Sequence, residues 1–277
     1  MADASRSQEL SELEIATVKK MAAEKLGYCK KQYDVIGTQI FSILSLFARA
    51  IYYPLGSDAP WGFTHITGSR GAVLADKPFV AINTSIPSDC QVFAAAHELY
   101  HIWNYNAPDV VPSTVLNDVN NREELKANRF AAEFLVDEGL LLQELKLYKV
   151  ALNRVAVRDV LKMAELFSVP YRTMAKRLYE IEIISKKTRD AFLSIPASDL
   201  TKLRKRYCLY EPEADGKIAI DNLVELAVDR YEEKKITYEK LEYLLSLSKL
   251  TPSDVGVRAP ASGRFPTDEE LDSIMEE

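Results

Sequence analysis

Cysteine, histidine and glycine are all scarce in this 277-residue chain: three Cys, three His and ten Gly. The cysteines, Cys29, Cys90 and Cys208, are odd in number and far apart, with no Cys-x-x-Cys pair. That spacing argues against a disulfide framework and a thiolate metal site, and predicts reduced, mostly buried thiols in a reducing compartment. No charged segment followed by an apolar run opens the sequence, so no secretory signal is read. The most apolar stretch, residues 40–53, is too short to span a bilayer and contains Arg49. A cytoplasmic protein with no membrane partner is therefore expected. Excess positive charge is missing too. The net charge is −6, which speaks against nucleic acid as the main partner. Residues 151–189 nevertheless hold nine Lys/Arg against four Asp/Glu, and residues 211–277 hold eight against seventeen. A solvated helical surface explains such an asymmetry more simply than a functional patch.

What is present is an ordinary apolar content of 47%, enough for a sizeable core. Apolar residues at helical spacing predict a helix over 9–26, stopped by Gly27, and a second, buried one over 38–47. Residues 50–53 and 79–86 are β-branched and aromatic, end at Pro54 and Pro87, and predict strands. Residues 63–67 and 71–75 flank Gly68-Ser69-Arg70 as a hairpin-like pair. A helix over 89–104 would turn Val92, Phe93, Ala96, Tyr100 and Trp103 inward. Residues 107–121 read as a polar loop, and 123–136 as a strong helix with Ala127 and Ala131 on one side. Beyond it the chain is almost wholly helical, with segments over 157–167, 171–184, 221–231 and 237–247. A turn-rich stretch and an acidic end follow. The expected organisation is a catalytic domain over 1–145, a helical region over 146–205, a second over 206–262 and an acidic tail over 263–277.

The run His97-Glu98-Leu99-Tyr100-His101 carries chemistry. Residues four apart on a helix lie one turn apart on the same face, so both imidazoles can address one metal ion. Zinc so held acidifies water toward neutrality, and the carboxylate of Glu98 is placed to take a proton and pass it to a leaving amine. A catalytic zinc site wants a third protein ligand. The one other histidine, His65, lies upstream on a strand or turn, so a carboxylate is the natural choice. Glu123 and Glu124 both open the next helix, and periodicity does not choose between them. Glu124 has the added merit that Asn128, one turn on, could hydrogen-bond a ligating histidine. Acidic residues also suit a helix start without any metal. Candidates for stabilising an oxyanion are His65, Tyr100, Tyr105 and Arg70.

The stretch FVAINTSIPSDCQVFAAAHELYHIW, followed by EELKANRFAAEFLV, resembles the ImmA/IrrE family of metallo-endopeptidases. The resemblance covers residues 35–140 well and the later residues loosely. It implies an α+β zincin-like domain with a small mixed sheet, followed by an all-helical extension of helix-turn-helix shape. His97, His101 and Glu124 would be the ligands, Glu98 the base, and one Zn2+ the cofactor, with Mn2+ as a substitute. The family usually has glycine where this chain has Tyr100. In zincin-type peptidases an edge strand beside the metal helix pairs with the substrate backbone, a role that would fall to Phe79, Val80, Ala81, Ile82 and Asn83. The implied substrate is a helix-turn-helix transcriptional repressor, cut to relieve repression in a stress or mobile-element response.

Residues 160–184 read as helix, short turn and helix, with Arg172, Lys176 and Arg177 on the second helix in reach of phosphates or bases. A structural hairpin with solvated basic residues is the simpler reading, so nucleic-acid binding is not favoured. Two rival functions remain open: a DNA- or partner-binding regulator with a structural or vestigial metal site, and a toxin-like or antiphage hydrolase. Glu98 speaks against the first, because a structural site needs no base. The second would share the site and differ in substrate.

Overall fold

The computed structural model describes residues 9–65, 77–104, 110–113 and 122–259. They fall into two compact units, 1–217 and 218–277.

The first unit opens with α1 (Glu12–Tyr28), started by a capping box. The Ser11 hydroxyl accepts from the Glu14 N–H, while the Glu14 carboxylate accepts from the Ser11 N–H. Then come α2 (Ile40–Phe47), β1 (Arg49–Tyr53), β2 (Gly62–His65), β3 (Phe79–Asn83), α3 (Ser88–Trp103), β4 (Val110–Ser113) and α4 (Arg122–Leu135). Five helices complete the unit: α5 (Glu138–Leu147), α6 (Val157–Phe167), α7 (Tyr171–Glu180), α8 (Lys186–Leu193) and α9 (Ala197–Arg206). The architecture is α+β, as expected.

Within this unit the strands lie in the order β4–β2–β3–β1. β1 runs parallel to β3, while β2 is antiparallel to both β3 and β4. This order overturns the expectation that residues 79–83 form a substrate-binding edge. Phe79, Val80, Ala81, Ile82 and Asn83 are paired on one side with residues 49–53 and, for residues 79–82, on the other with 62–65. Both backbone rims of β3 are thereby used, and none is left for a peptide. The second departure is β4, a strand inside the stretch read as a loop. Pro108 and Pro112 hid it, since proline in a short run argues against a strand except at an edge.

The core lies where α3 packs on the sheet and on α4, which also packs on α1. Ala94, Ala95 and Ala96 of α3 are fully buried and let neighbouring backbone come close. On α4, Ala127, Phe130, Ala131 and Phe134 recur at helical spacing and are buried. Phe130 and Phe134 stack with centroids 5.4 Å apart, and Trp103 of α3 meets both edge-on. Each such phenylalanine stabilises the fold by roughly 1.5–3 kcal/mol. At the start of α4, Arg122 donates to both oxygens of Glu14, at 2.7 and 2.5 Å, tying α1 to the turn that carries Glu123 and Glu124.

Helices α6 and α7 are joined by Ser168, Val169 and Pro170, with Ser168 in the left-handed region at φ 53°. Two helices joined by a short turn are what this segment shows, and its basic residues are disposed differently from the expectation. Arg177, expected to be solvated or else in reach of phosphates, is buried. Its guanidinium pairs with both oxygens of Glu133 and donates to the Val136 carbonyl at 2.9 Å. The physical reason is its helical face: positions 174, 177 and 178 lie together on the side of α7 that packs inward. Arg172 is exposed and donates to the Leu193 carbonyl at 3.1 Å, and Lys176 is exposed.

The second unit contains α10 (Leu223–Glu232), α11 (Tyr238–Ser246) and a short 3-10 turn at Pro252–Val255. Ala227, Leu241 and Leu245 are its buried centre, with Val224, Val228 and Leu244 packed against them. Among the described residues no helix is long and apolar enough to cross a membrane. All three cysteines are free thiols. Contrary to expectation, Cys208 is exposed and the other two are only half-buried; Cys208 sits in a turn at φ 54°, just past the end of α9.

Candidate metal centre

His97 and His101 project from one face of α3, and their Nε2 atoms lie 3.1 Å apart. The first turn of α4 brings Glu124 to both. Its Oε2 is 3.0 Å from His97 Nε2 and its Oε1 is 3.2 Å from His101 Nε2. All three residues are buried, and among the described residues they are the one His/Cys/Asp/Glu group whose ligand atoms converge closely enough to hold a metal ion. Tetrahedral zinc with bonds of about 2.0–2.1 Å would separate its ligand atoms by roughly 3.3 Å, close to the spacing found. Two ring nitrogens face each other across the same centre as a carboxylate oxygen, Glu124 Oε1, that has no hydrogen-bond partner. A bound cation satisfies all three at once. Asn128 completes the arrangement as expected: its Oδ1 lies 3.1 Å from His97 Nδ1. Accepting a proton there leaves the Nε2 lone pair turned to the centre.

The local charges follow. Burial raises the carboxyl of Glu124, but the close approach of the His101 and His97 rings and their charge outweigh it and hold it down to about 2. Burial lowers the imidazole of His101, but the carboxylates of Glu124 and Glu98 overcome this and raise it. Glu123, the other carboxylate at the helix start, points elsewhere. It accepts from Tyr100 Oη at 2.9 Å and from Lys126 Nζ at 2.8 Å. The structure thus separates two neighbours that periodicity left equal.

Glu98 is fully buried beside the histidines. Its Oε2 accepts from Thr64 Oγ1 at 2.6 Å, while its Oε1 has no hydrogen-bond partner. Burial pushes this carboxyl up; the charges of His97 and His101 and the bond from Thr64 pull against that without cancelling it. Glu98 has room because residue 62 is glycine. A Cβ there would lie 3.0 Å from Glu98 Oε1 and 3.1 Å from the carbonyl oxygen of Ala81. Gly62 and Thr64 were not singled out by the sequence reading. One signal was available: glycine inside a strand often marks close approach of another group.

The oxyanion candidates fare less well. Thr64 faces Glu98, so strand alternation turns the side chain of His65 to the opposite side of the sheet. His65 is removed from the site on that ground. Tyr100 donates its hydroxyl proton to Glu123, and its ring packs on Phe130 at 5.6 Å, so that proton is not free for an oxyanion. Tyr105 and Arg70 lie outside the described residues.

Residues 57–179 match a peptidase family model described as the IrrE N-terminal-like domain. The match starts later than the stretch noted from the sequence and runs on through α6 and nearly all of α7. No curated protein and no solved structure matches the chain.

Proposed function

We propose that this protein, whose residues 57–179 match the IrrE N-terminal-like domain model, is a zinc-dependent endopeptidase of the ImmA/IrrE type acting on a protein substrate. The observation that carries the reading is the buried convergence of His97, His101 and Glu124 beside a carboxylate with one free oxygen. Zinc bound there supplies a Lewis acid that polarises the scissile carbonyl and acidifies water. Manganese suits the same donor set of imidazole and carboxylate.

The chain's own residues do the rest. Asn128 fixes the ring of His97. Thr64 anchors Glu98 through Oε2, so that Oε1 is the oxygen that takes the proton and later hands it to the leaving nitrogen. A purely structural site would have no use for a buried carboxylate held in this way, and this favours an enzyme over a regulator with a vestigial centre.

The substrate class comes from the ImmA/IrrE resemblance alone: a helix-turn-helix transcriptional repressor whose cleavage relieves repression. Such a target would place the enzyme in the cytoplasm. The test is to incubate the purified protein with a candidate repressor and zinc or manganese, alongside Glu98→Gln. Cleavage by the native protein with none by Glu98→Gln, at equal metal content, is the expected result. Cleavage that survives the substitution would overturn the assignment of Glu98.

A further inference from the structure

The sheet beside Glu98 ends, among the described residues of the first unit, in β4, and the backbone register shows how β4 is held. The Asn83 N–H donates to the Trp61 carbonyl at 2.9 Å. In an antiparallel pair, residues alternate between exchanging backbone bonds with one neighbour and facing the other. With Trp61 bonded toward β3, Phe63 and His65 also face β3. Gly62 and Thr64 then turn their N–H and C=O groups outward, to Ser113 and Val111 of β4. Pro112, opposite Phe63, falls at the position whose nitrogen points away from β2. Proline has no hydrogen on that nitrogen. The inner rim of β4 is therefore a complete partner for β2, whereas its outer rim lacks its middle donor. An edge built in this way resists the addition of another strand.

The rim that β4 covers is also the rim of the catalytic carboxylate. Gly62 and Thr64, whose backbones bond to β4, are the two residues that accommodate and hold Glu98. β4 has only four residues and comes from the segment between α3 and α4, the two helices that carry the metal ligands. We propose that β4 is the chain's own occupant of a strand-docking rim, and that an extended segment of the protein substrate enters by replacing β4 on β2. The substrate part of this proposal rests on the peptidase reading above.

The energetics favour exchange over simple addition. The rim groups of Gly62 and Thr64 need partners, and an extended peptide satisfies them as well as β4 does. Little is lost in trading one for the other. β4 competes as a tethered ligand at an effective concentration on the order of millimolar. A substrate must therefore present an accessible extended stretch, free of proline where it faces β2. Folded proteins are excluded on this account, and the peptidase is restrained without a separate inhibitor.

The experiment uses the full chain with Glu98 intact and a fluorescent peptide of residues 107–116, APDVVPSTVL. Peptide binding is read by anisotropy, and amide exchange at Gly62 and Thr64 is compared with that at Phe63. Val111→Pro removes an N–H that β4 donates to β2; Pro112→Ala restores one on the outer rim. In Val111→Pro, Gly62 and Thr64 should lose protection at least about tenfold while Phe63 keeps its own, the tethered competitor being gone. The peptide should bind that variant at least about tenfold more tightly than the native protein and return the lost protection. Pro112→Ala should change neither reading. Tighter binding in Pro112→Ala would instead place docking on the outer rim of β4 and overturn the proposal. So would unchanged or weaker binding in Val111→Pro. Loss of protection at Phe63 as well would make β4 a structural member of the sheet, with the same consequence. None of these readings depends on hydrolysis. A failure to cleave any repressor would sink the peptidase reading and leave the exchange of β4 to stand or fall on its own.

Discussion

Replacing Thr64 by valine removes one hydrogen bond and almost no volume. The hydroxyl of Thr64 lies 2.6 Å from Glu98 Oε2, and the carboxylate is wholly buried. A hydrogen bond to a charged group contributes about 1.5–3 kcal/mol. Losing it leaves Oε2 without its bond in a site where Oε1 has no hydrogen-bond partner already. Two effects should follow. Burial already raises the carboxyl of Glu98, and Thr64 is one of the groups that lower it. Without Thr64 the carboxyl rises further, and the acid limb of the activity profile moves to higher pH. The carboxylate also loses the anchor that keeps Oε1 directed at the metal centre, so kcat at neutral pH should fall roughly tenfold to a hundredfold. KM and zinc content should change little, because Thr64 touches no metal ligand and has no place in the proposed docking rim beyond its backbone. Steady-state kinetics across the neutral range, with metal analysis of each sample, reads both effects. Thr64→Ser keeps the donor and should recover most of kcat. The reasoning fails if Thr64→Val retains native kcat, or if Thr64→Ser is impaired as badly as valine.

Three further outcomes are expected. Gly62→Ala forces a Cβ to within 3.0 Å of Glu98 Oε1 and 3.1 Å of a backbone oxygen; it should lower stability by about 1–3 kcal/mol and abolish cleavage with metal retained, whereas a native melting curve with native activity would contradict it. Arg177→Met removes one of the two guanidinium partners of buried Glu133, leaving Arg129 as the other, so urea unfolding should show a loss of about 1.5–3 kcal/mol, against less than about 1 kcal/mol for exposed Arg172→Ala; equal losses would refute the burial of Arg177. Glu124→Gln should weaken zinc binding at least about tenfold while Glu123→Gln retains it, and the reverse order would exchange their roles. In the metal-free protein, Glu124 is lowered from its ordinary 4.5 to about 2, so its contribution to stability is whole above about pH 4.5 and lost as pH falls toward 2. Acid denaturation of Glu124→Gln should lack that component, and an unchanged acid profile would count against the His–Glu cluster.

The sequence by itself determined the elements whose logic is local. His97, Glu98 and His101 are legible because the helical repeat places residues four apart on one face wherever the helix sits. The same repeat marked α3, α4, α6 and α7, and the β-branched run of residues 79–83 marked a strand. Glu124 was legible through a family pattern, whereas periodicity left it level with Glu123. Everything that depended on which strand lies beside which was decided by tertiary structure alone. A strand's pattern tells which residues alternate, but its rank in the sheet is set by partners distant in sequence. Hence residues 79–83 were recognised as a strand and misplaced at an edge. The face of His65 could be read only once Thr64 was seen against Glu98, and Arg177 could be read only once α7 had turned that side to Glu133. The support of the catalytic carboxylate has the same origin. Thr64 and Gly62 stand 34 and 36 positions before Glu98, and only the packing of α3 on β2 brings them within hydrogen-bonding and van der Waals reach.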